Sequence, residues 1–152
     1  MNRPEAIYLR FMEQQAAARA VLLWDKAPQT CAAIIDRLPV SGDVHHAIYS
    51  GSECVHVLKN PLRLAKEHAT SQVTKGQVAF VMLAAGSSFG VEDDISEICW
   101  FYDVDAQPRM WEGPVEVNIF AEICEPASAF YAACRRMRRE GVKPIRIEVD
   151  CT

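Results

Sequence analysis

Apolar residues fall in short runs along this chain, and the spacing within each run predicts its element. Ala6 to Met12 (AIYLRFM) and Ala18 to Trp24 (ARAVLLW) are rich in apolar residues and are separated by Glu13, Gln14 and Gln15, which predicts a first hairpin. Ala27-Pro28-Gln29-Thr30 opens a helix, since proline is tolerated in the first turn. Ala33, Ile34 and Leu38 then recur at helical spacing until Pro39 stops it. His45 to Leu58 reads as a long strand with a turn or bulge at Ser50-Gly51. Lys59 to Lys75 combines a proline with several charges and no period, so it is a connecting loop with one helical turn expected around Leu62 to His68. Strands resume at Gly76 to Ala84, Ile98 to Tyr102 and Val115 to Ile123, with loops at Gly86 to Glu92 and Val104 to Gly113. A second helix spans Pro126 to Glu140, where Phe130, Cys134 and Met137 share a face and Gly141 is a natural C-cap; Ile145 to Cys151 is the last strand. About eight strands and two helices predict a mainly β fold, a closed barrel with covering helices.

Composition narrows the class. The chain has 152 residues, 50% hydrophobic and 24% charged, which suits one globular domain over residues 1–152 and excludes disorder, collagen and a coiled-coil rod. No uncharged apolar run reaches the roughly 18 residues of a membrane span. Arg3, Glu5 and Arg10 interrupt the stretch where a signal peptide needs an apolar core, so a cytoplasmic location and no membrane partner are expected. The second half, residues 77–152, carries 7 basic and 13 acidic side chains, which argues against a nucleic-acid backbone as partner. The basic cluster Arg135, Arg136, Arg138 and Arg139 sits where cations complement the C-terminal end of a helix. The six cysteines contain no C-x-x-C pair; reduced, packed thiols are expected, and neither a metal nor a cofactor is implied.

Three strings in order resemble the cyclophilin family of peptidyl-prolyl isomerases. Ala20 to Leu38 (AVLLWDKAPQTCAAIIDRL) is similar to the family's strand, acidic residue, A-P-x-T and helix. His46 to Gly51 (HAIYSG) stands where the family has its His-Arg-x-x-x-Gly strand, and Asn118 to Thr152 resembles the final strand, helix and closing strand ending in Asp-Cys. The resemblance implies a cyclophilin-like barrel of about eight strands with two covering helices. It does not bring the isomerase chemistry. That reaction needs an arginine donor beside the prolyl nitrogen to weaken an amide barrier of ~18–20 kcal/mol. Here that position is Ala47, while Ser52, Val55 and Val117 stand where the proline site has phenylalanine, glutamine and histidine. HHAIYSGSE, EICWFYD and PVEVNIFAEI resemble more closely a bacterial branch of small cyclophilin-like barrel proteins whose function is not established. The implied function is binding of a small polar or anionic metabolite, or of a short peptide, in an external cradle. The alternatives are peptidyl-prolyl isomerase and a structural or interaction subunit, with a homo-oligomer as one form of the latter.

Candidate chemistry lies along the cradle. On an extended strand His45, Ala47, Tyr49, Gly51 and Glu53 share one face, so His45, Tyr49 and Glu53 are candidates to bind a ligand or move a proton; the bland alternative is a solvated strand face. Trp100 and Tyr102 face opposite to Phe101, one set filling the barrel and the other open to line the cradle. Arg109 and Trp111 offer a cation and an aromatic surface from the following loop, or anchor that loop. His45 and His46 point apart, and His46 and His56 would be ~33 Å apart on one continuous strand, which disfavours a metal site. Cys54 and His56 share a face, a faint nucleophile-and-base pattern against which packing is the stronger reading.

Overall fold

The computed structural model describes residues 3–13 and 15–151. Gln14 of the expected hairpin connection, and Met1, Asn2 and Thr152, lie outside the described residues. The elements in chain order are β1 (Ala6–Phe11), β2 (Ala17–Leu22), α1 (Pro28–Arg37), β3 (Val40–His46), β4 (Glu53–Val57), β5 (Ala69–Thr70), β6 (Gln77–Leu83), β7 (Ile95–Phe101), β8 (Arg109–Met110), β9 (Gly113–Pro114), β10 (Val117–Ile123), α2 (Ser128–Glu140) and β11 (Lys143–Val149). Eight strands close an antiparallel barrel in the order β2-β1-β11-β3-β4-β7-β6-β10, because β10 pairs back onto β2 through Ala121↔Leu22 and Ile123↔Ala20. The short β5 adds to the remaining part of the same β10 edge, at Val117 and Asn118. Closure removes the open edges that an eight-stranded sheet would otherwise present. No helix among the described residues is long and apolar enough to cross a membrane.

The barrel interior is filled from alternating positions, including Leu9 and Phe11 of β1, Phe80 of β6, Ile98 and Trp100 of β7 and Phe120 of β10. A register shift between Ile119 and Ala121 changes the phase of β10. Val117 and Ile119 point outward before it, whereas Ala121 and Ile123 join the interior after it, as a bulge allows. Helix α2 lays Phe130, Cys134 and Met137 on this interior. Phe130 stacks on Phe11 at 5.2 Å, and the Trp100 indole donates to Cys134 Sγ at 3.3 Å. Helix α1 buries Cys31 and Ile34 against β10. Its first-turn amides find no local cap, and the Glu67 carboxylate supplies one from the 59–75 loop, accepting from Thr30 N–H and Thr30 Oγ1–H, both at 2.8 Å.

The structure refines the sequence pattern at His45 to Leu58 and departs from it elsewhere: β3 begins at Val40, the expected 104–113 loop holds β8, and 62–68 is not helical. His45 to Leu58 breaks at the expected Ser50-Gly51 position, and the break is a full reversal that makes β3 and β4 a hairpin, with His46 opposite Cys54 and His45 opposite Val55. The reversal follows from Gly51 at φ +73°, where a Cβ would collide with the Asp105 carbonyl oxygen. The separation of ~33 Å assumed for His46 and His56 therefore does not hold; both are on the inner face. Among the described residues no group of three His, Cys, Asp or Glu suited to a metal ion is present. Leu62 to His68 forms no helical turn; it is irregular and is held by Leu62 N–H to Ser96 Oγ at 2.9 Å and Asn118 to the Ala65 carbonyl at 3.0 Å.

All six cysteines are free thiols. Cys31, Cys54, Cys99 and Cys134 are buried, and burial raises Cys31 to about 11 and Cys54 and Cys99 well above the ordinary thiol range. The Cys54–His56 pattern is packing: Cys54 Sγ meets Met137 Sδ at 3.8 Å, and His56 Nδ1 is bonded to the Asp43 carbonyl at 2.9 Å. Native protein should therefore titrate one fast thiol, the exposed Cys151, with Cys124 slower and all six accessible after unfolding. Loss of the fast phase in Cys151→Ser checks the assignment. Glu67→Ala should lower stability by about 1 kcal/mol in urea unfolding, the ordinary cost of a lost N-cap.

Candidate functional site

The residues that build the site come from the outer face of the barrel. Facing outward are Glu53, Val55 and Val57 on β4, Glu97, Cys99 and Phe101 on β7, and Ala79, Val81 and Leu83 on β6, in mutual register. Most of these are apolar and, with Val117 and Ile119 of β10, they make a second buried cluster outside the barrel. The segment from Asp103 to Glu116 lies over part of it and contributes Ala106, Met110 and Val115.

This cover is fastened to the β3–β4 turn. The Gln107 N–H donates to the Ser50 carbonyl at 2.9 Å, and the Arg109 N–H donates to Ser50 Oγ at 2.9 Å. Ser52 Oγ donates to Asp105 at 2.5 Å. Between the turn and the cover a cavity of about 300 Å³ remains open, the lower end of the range for small-molecule sites. Its floor and walls are mainly Val55, Val57, Val81, Leu83, Val115 and Val117. Its polar groups are His45, His46, Tyr49, Ser50, Glu53, Glu97 and Arg109.

Four of the sequence candidates, His45, Tyr49, Glu53 and Arg109, line this cavity together. Trp111 stands at its lip, edge-on to Tyr49 with ring centroids 6.2 Å apart, and Phe89 continues the lip at 6.5 Å from Trp111. Trp100 and Tyr102 do not line it. Both are fully buried in the barrel interior, and Phe101 is the member of that triplet on the outer face. The reason is phase: strand β7 turns Ser96, Ile98 and Trp100 inward and Glu97, Cys99 and Phe101 outward.

Glu97 is the site residue that sequence reasoning missed. The signal was present in EICWF, where a single acid two residues before Cys99 lies on a face of otherwise apolar residues. Burial pushes the Glu97 carboxyl up to about 7, and the nearby Glu53 charge adds to the shift. Glu53 itself is only 5% exposed. Burial raises its carboxyl as well, against the favourable influence of the Ser50 hydroxyl and the Cys99 thiol. Glu53 lies opposite Phe101 and Glu97 opposite Val57 on the same outer face, so both carboxyls line one cavity and the Glu53 charge is felt at Glu97.

Both ring nitrogens of His46 are engaged. Its Nδ1 is bonded to the Ala47 carbonyl at 2.9 Å and must be the donor there, so Nε2 accepts from the Tyr102 hydroxyl at 2.6 Å. Tyr102 in turn accepts from Arg138 Nε at 2.9 Å, and Arg138 Nη2 donates to Ser52 Oγ at 2.9 Å. Burial lowers the His46 pKa, and the Arg138 charge lowers it further against the help of the Ala47 carbonyl. The ring is held neutral by this chain. The arginine cluster of α2 is likewise occupied, Arg135 with Asp103 at 3.0 Å and Arg136 with Glu140 at 3.4 Å.

The family model described as Protein of unknown function (DUF3830) matches residues 10–149. No curated protein matches the chain. Among solved structures, the chain is similar to the structure of McbB in complex with tryptophan, with 13% identity and a TM-score of 0.64; the match covers 96% of this chain and 45% of that one. This chain thus spans less than half the length of McbB. It is also similar to the solution structure of the hypothetical protein AF2241 from Archaeoglobus fulgidus, with 17% identity and a TM-score of 0.61, over 99% of this chain and 98% of that one. Likeness at these identities shows a shared fold.

The buried acid sets a pH dependence of stability. Glu97 holds its proton longer when folded than when unfolded, so stability should fall as pH rises from 4.5 to about 7 and level off above. His46, with its lowered pKa, acts in the opposite sense and loses stability as pH falls. Comparison with Glu97→Gln isolates the acid. Urea unfolding at about pH 5 and about pH 8 should show the variant gaining on the order of 2 kcal/mol on wild type at the higher pH, partial solvent access having been allowed for.

Proposed function

This chain belongs to the DUF3830 family of proteins of unknown function, and we propose that it binds a small molecule or short peptide in the cavity on the outer face of its barrel. The observation that carries the reading is the pairing of an apolar floor with polar groups gathered around it, Glu53 buried and His45, Tyr49 and Arg109 exposed at the rim. Val55, Val57, Val81 and Val117 supply burial, while His45, Tyr49, Glu53 and Arg109 converge on the same space from three segments of chain. A scaffold with no ligand has no need to leave two carboxyls in an apolar recess, where their ionisation costs stability. The exposed lip of Trp111, Tyr49 and Phe89 offers further contact to a ligand longer than the cavity, which favours the short-peptide form of the reading. The work would be done in the cytoplasm.

The reading takes the barrel as cyclophilin-like, with the cradle retained and the isomerase chemistry lost. In support, three of the positions that the resemblance assigns to the proline site, Ala47, Val55 and Val117, line the cavity, while Ser52 is drawn away to Asp105 and Arg138. The guanidinium that reaches the cavity is Arg109, from the covering segment. It is exposed and lies 3.3 Å from Gln107, not on the β3–β4 hairpin where the family's arginine stands.

A fragment and metabolite screen by amide chemical-shift mapping tests the proposal. Shifts should centre on Val55, Val57 and Val117, and Val55→Trp should abolish them by filling the space while the free protein still melts cooperatively. Binders that shift only residues elsewhere on the barrel would move the site. Proline isomerisation on a test peptide should be no faster with the protein than without it. A catalysed rate that Val55→Trp removes would restore the isomerase reading.

A further inference from the structure

Glu97 sits on the cavity floor opposite Val57 of β4 and Val81 of β6. Among the described residues its carboxyl forms neither an ion pair nor a hydrogen bond, although burial and the proximity of Glu53 both act against its charge. Glu53 also lines the cavity and is only 5% exposed, so two carboxyls face the same largely apolar space. An unmet acceptor in an apolar recess is expensive when ionised and is relieved by a donor that arrives with the ligand. Two carboxyls there repel a buried anion and attract a cation, and a low dielectric strengthens both effects.

We propose that the ligand carries a protonated amine on an apolar body, with the amine seated between Glu97 and Glu53 and the body along Val55 and Val117. This rests on the binding reading above and names its ligand class. A divalent metal is the weaker fit, since no group of three suitable donors exists among the described residues and a hard cation wants six or more oxygens. An ammonium needs only a few acceptors, which the two carboxyls provide. Arg109, exposed at the edge of the cavity, is then free to take a carboxylate at the far end of the same ligand. The cavity thus suits an amino compound or the amino end of a peptide better than the purely anionic metabolite that Arg109 alone suggested.

The test uses three probes of similar size on the intact protein: 2-phenylethylamine, 2-phenylethanol and 3-phenylpropionate, followed by amide shift titration near neutral pH. The amine should bind at least about tenfold tighter than the alcohol, the gain expected of a charge-assisted contact, and the propionate most weakly. Glu97→Gln should erase the preference for the amine and leave the alcohol unchanged. Amine affinity in the wild type should also rise from about pH 6 to about pH 8 as Glu97 ionises. The other titratable groups around it are His45 of β3, Tyr49 of the turn, Cys99 of β7 and Arg109 of β8, and His46 beside them is held by Tyr102; β6 and β10 contribute only apolar side chains. Equal or tighter binding of the alcohol or propionate, or an amine preference that survives Glu97→Gln, overturns the inference while leaving the cavity a binding site. If none of the three probes shifts a cavity amide, the binding reading and the inference fall together.

Discussion

The structure depends on a sheet that is apolar on both faces. Strands β4, β7, β6 and β10 turn Phe80, Ile98, Trp100 and Phe120 into the barrel and turn Val81, Cys99, Phe101, Val117 and Ile119 out of it. An antiparallel strand with one wet face would alternate apolar and polar residues. These strands do not, so the outer face must be covered, and the chain covers it with its own 103–116 segment. Apolar burial, at roughly 25 cal/mol per Å², drives that segment down onto the barrel. The cavity is the part of the outer face that the segment does not reach.

What holds the cover in register is polar. Ser50 takes two contacts from the covering segment, Ser52 takes Asp105, and Gly51 permits the backbones to approach. The short distances matter because they fix the depth of the recess and therefore its dielectric. Glu53 and Glu97 are ordinary acids on extended strands until the cover is in place. Once it is, both become hard to ionise, and Glu97 is left titrating at about 7. The same burial that stabilises Phe101 and Val117 is what tunes the carboxyls.

A second polar chain ties the site to the helix at the end of the barrel. His46, Tyr102, Arg138 and Ser52 link the β3–β4 turn to α2 through contacts of 2.6 to 2.9 Å. Each donor in that chain has its acceptor, so the turn that presents Tyr49 and Ser50 to the cavity is fixed from behind. Tyr102 thus belongs to the support of the site and not to its lining. Interior polar networks of this kind favour one arrangement when every member is satisfied.

By itself the sequence determined the elements and their class. Continuous apolar runs such as GQVAFVMLA and the helical spacing around Phe130, Cys134 and Met137 encode local geometry, and local geometry is read from neighbours in sequence. The cradle candidates His45, Tyr49, Glu53 and Arg109 were legible for a related reason: polar residues stood on segments that the resemblance placed together. Three things were decided only by the tertiary structure. The seating of the β3–β4 turn, with Gly51 against the Asp105 carbonyl, depends on backbone that arrives from a distant part of the chain. The phase of β7, which sends Trp100 inward and Glu97 outward, depends on which face the barrel closes around. The chemistry of Glu97 depends on the depth of its burial and on Glu53; an acid on an apolar strand face hints at the first, but a carboxyl's pKa is a property of its surroundings in space.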